Sequence, residues 1–182
     1  MNQTIKKTGI TFGLILATYY ILFNVILFWI NPMLFTKPAI GLISWAVFIL
    51  LGILAIYFTK RKLNNAITLK EAFTPFLIMI TIGFVINIIV QSVLFNFVDP
   101  EAKIEANQIL LSKVEETLNI SNLEPEDLAE KLQKAKDYDS FGIDTLLFSL
   151  VGSILRASIA GLLIALIFRN KSEFTNPVEQ KQ

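Results

Sequence analysis

Four long stretches with almost no charge decide what this chain can fold into. They run from Gly9 to Ile30 ("GITFGLILATYYILFNVILFWI"), from Pro38 to Phe58, from about Phe73 to Val98 and from about Phe141 to Phe168. A hydrocarbon core of about 30 Å is crossed by about 20 apolar residues in helix. Inside lipid each helix satisfies its own backbone donors and acceptors, which open strands cannot do. The sequence therefore predicts an all-α, polytopic membrane protein, a single membrane domain over 1–182 with spans at 9–30, 38–58, 73–98 and 141–168. The apolar content, 54%, and the mean hydropathy of +0.60 exceed those of ordinary soluble domains. The first stretch is long for a signal peptide and ends in "FWINPMLF" without a small-x-small cleavage site, so it is read as a retained span.

Basic residues orient the spans. Lys6 and Lys7 precede the first; Lys60, Arg61, Lys62 and Lys70 lie between the second and third; Arg169, Lys171 and Lys181 follow the fourth. The short link between spans one and two has only Lys37, and Asp99 to Ser140 holds eleven acids against five bases. Lys and Arg collect in short cytoplasmic flanks. Both termini are therefore expected in the cytoplasm, with 99–140 an extracytoplasmic insertion. Tyr19, Tyr20, Trp29, Phe35 and Tyr57 are expected to anchor at the interfaces.

The links carry helix signals. In "ITLKEAF", Thr68 and Glu71 have capping-box spacing. Pro75 lacks a donor and is expected to bend a short interfacial turn into span three. Asp99-Pro100 reads as an N-cap followed by proline at the first helical position. Ile104, Leu111, Val114 and Leu118 then mark one apolar helix face. Pro125, with Glu126 and Asp127 behind it, opens a second helix striped by Leu128, Leu132 and Ala135. The insertion is thus expected to be an acidic two-helix cap between spans three and four. Asn119 to Ser121 matches a glycosylation sequon, a pattern common by chance.

Polar residues inside the spans are the candidate functional ones. Arg156 lies within "SLVGSILRASIAGLLIALIF", where a charge costs about 2.5–3.5 kcal/mol on insertion scales. Ser149, Ser153, Ala157, Gly161 and Ala165 repeat every four residues beside it, a spacing that lets another helix approach closely. Arg156 is therefore expected to face the four-helix bundle. Counting along each helix places Arg156 roughly 18 Å from Phe168, Asn24 roughly 22 Å from Gly9 and Asn87 roughly 21 Å from Phe73. With Gln91 one turn beyond Asn87, these four are expected to form an intramembrane polar layer. Arg156 is then either hydrogen-bonded or snorkelling structure, or a contact for an anion or a partner.

Cysteine and histidine are absent, which removes thiolate and histidine metal sites, disulfides and histidine acid–base chemistry. No calcium-site loop or Gly-rich phosphate loop is present. Ser149, Ser153 and Ser158 have no histidine or intraspan lysine to activate them, so no catalytic residue, cofactor or metal is assigned and the chain is read as a non-enzyme. A net charge of +1 offers no attraction to nucleic acid. The favoured reading is an accessory or scaffold subunit in the bilayer, contacting a protein partner or a second copy through the cap or span four. The alternative is a small oligomeric transporter or channel with an anion contact at Arg156.

The four-span layout, "GITFGLILA", "ITLKEAF" and "GLLIALIFRNK" resemble a bacterial family, domain of unknown function 4199 (DUF4199), over nearly the whole chain. The resemblance implies a multi-pass protein of the bacterial cytoplasmic (inner) membrane with no assigned activity, and it transfers no catalytic or binding residue.

Overall fold

A computed structural model describes residues 2–120 and 125–170; among them it contains helices and turns and no strand. Helix α1 spans Gln3–Ile30, with Asn2 Oδ1 accepting from the Thr4 N–H at 2.9 Å. It stops where Pro32 forces Asn31 into extended backbone (φ −169°, ψ 113°). The Asn31 side chain caps a 3-10 turn, Pro32–Thr36, and Pro38 opens α2, Pro38–Lys62. Asn64 and Asn65 end α2 in left-handed backbone, φ 55° and 60°, a region asparagine tolerates better than most residues. Helix α3 spans Leu69–Val93 and closes in a π-helical turn, Leu94–Val98. Then come α4, Pro100–Ile120, α5, Pro125–Lys136, and α6, Ile143–Phe168. Four of these segments, Gln3–Ile30, Pro38–Lys62, Leu69–Val98 and Ile143–Phe168, are long and apolar enough to cross a membrane.

Two local motifs form as their residues demand. Thr68 Oγ1 accepts from the Glu71 N–H at 3.2 Å, while Glu71 Oε2 accepts from the Thr68 N–H at 2.9 Å. Asp99 Oδ1 accepts from the Ala102 N–H at 2.9 Å. One expectation is corrected: the residues around the capping box are not a separate interfacial turn. Helix α3 starts at Leu69 and continues through Pro75 to Val93. Pro75 falls early in the helix and is fully buried, so packing holds the chain helical there. Asn119 and Ser121 of the sequon lie outside the residues whose side chains are described.

The packing divides into two compact units. Among the described residues, the first comprises 2–18, 45–84 and 153–170; the second comprises 19–44, 85–120 and 125–152. In the first unit Phe76 is the centre, with no exposed surface. Its ring lies against Gly52 of α2 and Gly161 of α6, and a β-carbon at either glycine would collide with ring atoms. Along α1, a β-carbon at Gly9 would fall 2.9 Å from Ile78 Cβ and 3.0 Å from the Pro75 carbonyl oxygen, so α1 and α3 touch backbone to backbone. Lipid tails are as apolar as leucine, so close approach through small residues is the main source of helix cohesion in a bilayer.

The second unit is built around Phe95, which is fully buried. Phe141 stacks on it with ring centres 4.1 Å apart, and Phe28 and Phe35 meet it edge-on at 5.3 and 5.2 Å. Ala102 and Ala106 of α4 complete the cluster. This corrects the expected apolar face of α4. Ile104 and Val114 are exposed, because the side that meets the phenylalanines is lined by small alanines that fit against bulky rings. Tyr20 is also not an interfacial anchor: it is buried in this unit, whereas Trp29 at the end of α1 is exposed.

Candidate functional site

Three polar arrangements stand out, one in the first unit's loops, two in the second unit. In the first, Asn170, just past α6, grips the link between α2 and α3. Its Oδ1 accepts from the Ile67 N–H at 2.9 Å and its own N–H donates to the Ile67 carbonyl at 3.1 Å. Its Nδ2 donates to the Asn65 carbonyl. Lys60 Nζ donates to the Phe168 carbonyl at 2.9 Å, supplying a cation to one of the orphan carbonyls at the end of α6. "ITLKEAF" and the "FRN" that ends span four, far apart in the chain, thus meet here.

Within the second unit, Asn24 is buried and its Nδ2 donates to Asn87 Oδ1 at 2.7 Å. Gln91 Nε2 donates to the same oxygen at 3.3 Å. The structure therefore brings these three amides together. Arg156, in the first unit, is placed differently from the expectation that it faces the bundle. It is exposed on α6 and donates to Ser153 Oγ at 3.3 Å, one turn back on its own helix. The reason is helical geometry. Ala157, Gly161 and Ala165 form the buried row of α6, and Arg156 precedes that row by one residue, about 100° round the helix. Ser153 and Ser149, the outer members of the small-residue row, are half-buried.

The third arrangement joins the end of span three to the insertion. Asp139 Oδ2 pairs with Lys103 Nζ at 2.9 Å, and its Oδ1 accepts from Asn107 Nδ2 at 2.7 Å and from the Phe141 N–H at 3.1 Å. Lys103 also donates to Asn96 Oδ1 at 3.1 Å, and Asn96 Nδ2 donates to the Phe141 carbonyl at 2.9 Å. Asn107 Oδ1 accepts from the Ser140 N–H at 3.0 Å. Burial pushes the Asp139 carboxyl up, but bonds from Asn107, Lys103 and the Phe141 N–H outweigh it and hold the group below the usual carboxylate range. Farther along α4, Lys113 Nζ donates to the Thr36 carbonyl at 2.7 Å.

Beside this node a cleft of about 390 Å³ opens between α4 and α5, bordered by Lys103, Asn107, Gln108, Leu111, Ala135 and Tyr138. It adjoins a smaller hollow of about 210 Å³ against Leu110 and Val114. Polar and apolar side chains both line it. Among the described residues no three carboxylates gather as a metal-holding group.

Spacing and composition do not single out Asn96, Lys103, Asn107, Asp139 or Asn170. Asn96 did carry a signal, as an amide amid "LFNFV" at the end of a span. The pairing of Lys103 with Asp139, 36 residues apart, carried none.

Helices of this length and character, with an α-helical insertion between the third and fourth, make this a multi-pass membrane protein. The chain belongs to the family described as Protein of unknown function (DUF4199), whose model matches residues 11–170. That match includes both motifs joined by Asn170. No curated protein and no solved structure matches the chain.

Proposed function

We propose that the chain is a non-enzymatic accessory or scaffold subunit of a bacterial cytoplasmic membrane, with both termini inside and the α4–α5 insertion outside, where it docks a partner protein. The basic flanks at Lys6, Lys7, Lys60, Arg61 and Lys62, against the acidic 99–140 segment, support the orientation. One observation carries the docking role. The Lys103–Asp139–Asn107 node fixes α4 to the segment after α5, and the pair so held leaves Ile104, Val114 and Tyr138 exposed around a half-polar cleft. Apolar groups exposed together on a rigid, otherwise charged segment mark contact surfaces.

The absence of native cysteine makes the test clean. A membrane-impermeant maleimide applied to intact cells should modify Gln108→Cys and spare Lys62→Cys. A crosslinker on Gln108→Cys should then capture a second protein, and Ile104→Asp should remove that adduct while leaving the amount of chain in the membrane unchanged. Equal labelling of the two positions overturns the orientation. An adduct unaffected by Ile104→Asp overturns the docking role. The transport alternative drew on Arg156 as an anion contact; the exposed placement of that residue on α6 favours a neighbour in the membrane over an enclosed path.

A further inference from the structure

The part of α6 that belongs to the first unit presents an open apolar face. Leu155, Ile159 and Leu163 are 63, 64 and 59% exposed. Of the four candidate spans, α6 has the smallest buried share of its apolar window, 17%. An apolar face in the open is what lipid asks for, and alone it would call for nothing else. Arg156 changes that. It is exposed beside these residues, and its bond to Ser153 engages one of the five donors of a guanidinium.

Position makes the charge hard to satisfy with water or headgroups. Arg156 follows Ile143 by thirteen residues and precedes Phe168 by twelve, so its Cα lies about 18–20 Å from either helix end. With a hydrocarbon core of about 30 Å, it sits near the middle, about 15 Å from either headgroup layer. The three-methylene stem of arginine is far shorter than that distance. A guanidinium there calls for an acceptor, and a carboxylate is the best match to its fork of donors.

The four apolar helices offer no such carboxylate near their middles. In the four apolar helices the acids are Glu71 and Asp144, each in a first turn, and Glu71 is engaged by Thr68. A second copy has the same lack, and two copies meeting on this face would bring two arginines together. We propose that the Leu155–Ile159–Leu163 face of α6, around Arg156, docks a transmembrane helix of a different protein that carries one Asp or Glu near the bilayer centre. This inference rests on the accessory-subunit reading and supplies the chemistry of the partner.

The test uses the purified full chain, labelled with a donor fluorophore at Lys62→Cys, in phosphatidylcholine vesicles at pH 7.5. The probe is a synthetic 23-residue Leu/Ala helix carrying an acceptor dye and a single central Asp, compared with versions bearing Asn or Ala there. Energy transfer should show the Asp helix associating about tenfold more tightly than the Ala helix, as charge-assisted hydrogen bonds predict. Arg156→Leu should erase that preference, and Arg156→Lys should keep most of it. A photo-crosslinking residue at Ile159 should form its adduct with the Asp helix. Equal association of the Asp and Ala helices, or a preference that survives Arg156→Leu, overturns the proposal. Loss of the preference on adding phosphatidylglycerol makes a lipid headgroup the occupant and overturns it too. So does Arg156-dependent self-association without peptide. The α4–α5 surface takes no part in this measurement. Failure of the Gln108→Cys capture with an intact Asp preference therefore rejects the cap role alone, and the reverse result rejects the α6 pairing alone.

Discussion

The two compact units hold their helices together by different means. In the first, hydrogen bonds between separate elements gather at helix ends, where Asn170 and Lys60 meet backbone carbonyls and an N–H. Between those ends cohesion comes from shape: Phe76 against Gly52 and Gly161, Gly9 against Ile78 and Pro75. In the second, side chains bond to side chains across elements, through Asn24–Asn87, Lys103–Asp139 and Asn107–Asp139. The difference follows from what each is made of. The first is made mainly of stretches of the four apolar helices, where close packing is the available force. The second includes α4, whose Lys103 and Asn107 reach Asp139, and the span amides Asn24 and Asn87, which pair with each other. Volume changes should therefore damage the first unit most, and charge or pH the second.

The largest effect is expected from Gly161→Leu. The added side chain enters space filled by the Phe76 ring, which Gly52 blocks on its other side. A cost of about 3 kcal/mol, the upper end of overpacking penalties, should appear as a lower midpoint in thermal unfolding followed in detergent by tryptophan fluorescence. A wild-type midpoint would show that this unit is not volume-limited.

Next is Asn87→Leu in the second unit. It strands the buried Asn24 amide and should cost about 2 kcal/mol, whereas the double change Asn24→Leu with Asn87→Leu removes both partners and should recover much of that loss. Additive losses in the double-mutant cycle would mean that the pair is not energetically coupled.

The smallest effect belongs to Asp139→Asn, about 1 kcal/mol, because the carboxylate is partly exposed and water screens its pairing with Lys103. Its pH signature is distinctive. The folded-state carboxyl titrates below its unfolded value, so its contribution is complete above the ordinary carboxylate pKa, about 3.9, and disappears as pH falls through the lower folded value. Unfolding midpoints of wild type and Asp139→Asn should therefore differ at pH 7 and converge on acidification below about pH 4. A constant gap would assign the loss to shape instead.

How far the sequence could be read depended on the range of the interaction. The Thr68–Glu71 box and the Asp99 cap involve residues three apart, so spacing alone revealed them. The four apolar segments were equally legible, since lipid imposes both their length and their helical form. The packed face of α4 is not legible from its large apolar residues, because the contact uses Ala102 and Ala106 against aromatic rings. The small neighbours of Arg156 point inward without taking it along, because a rotation of one residue around the helix separates it from the buried row.

The sequence by itself determined that the chain is helical, where its long apolar helices lie and how two of its links are capped. Those features arise from water and lipid acting on residues adjacent in the chain. Only the tertiary structure decided that Asn170 closes on Ile67, that Lys103 finds Asp139 and that Phe76 fills the gap between two glycines. Each of these pairs residues remote in sequence, and their meeting depends on how whole helices pack, which no local spacing encodes.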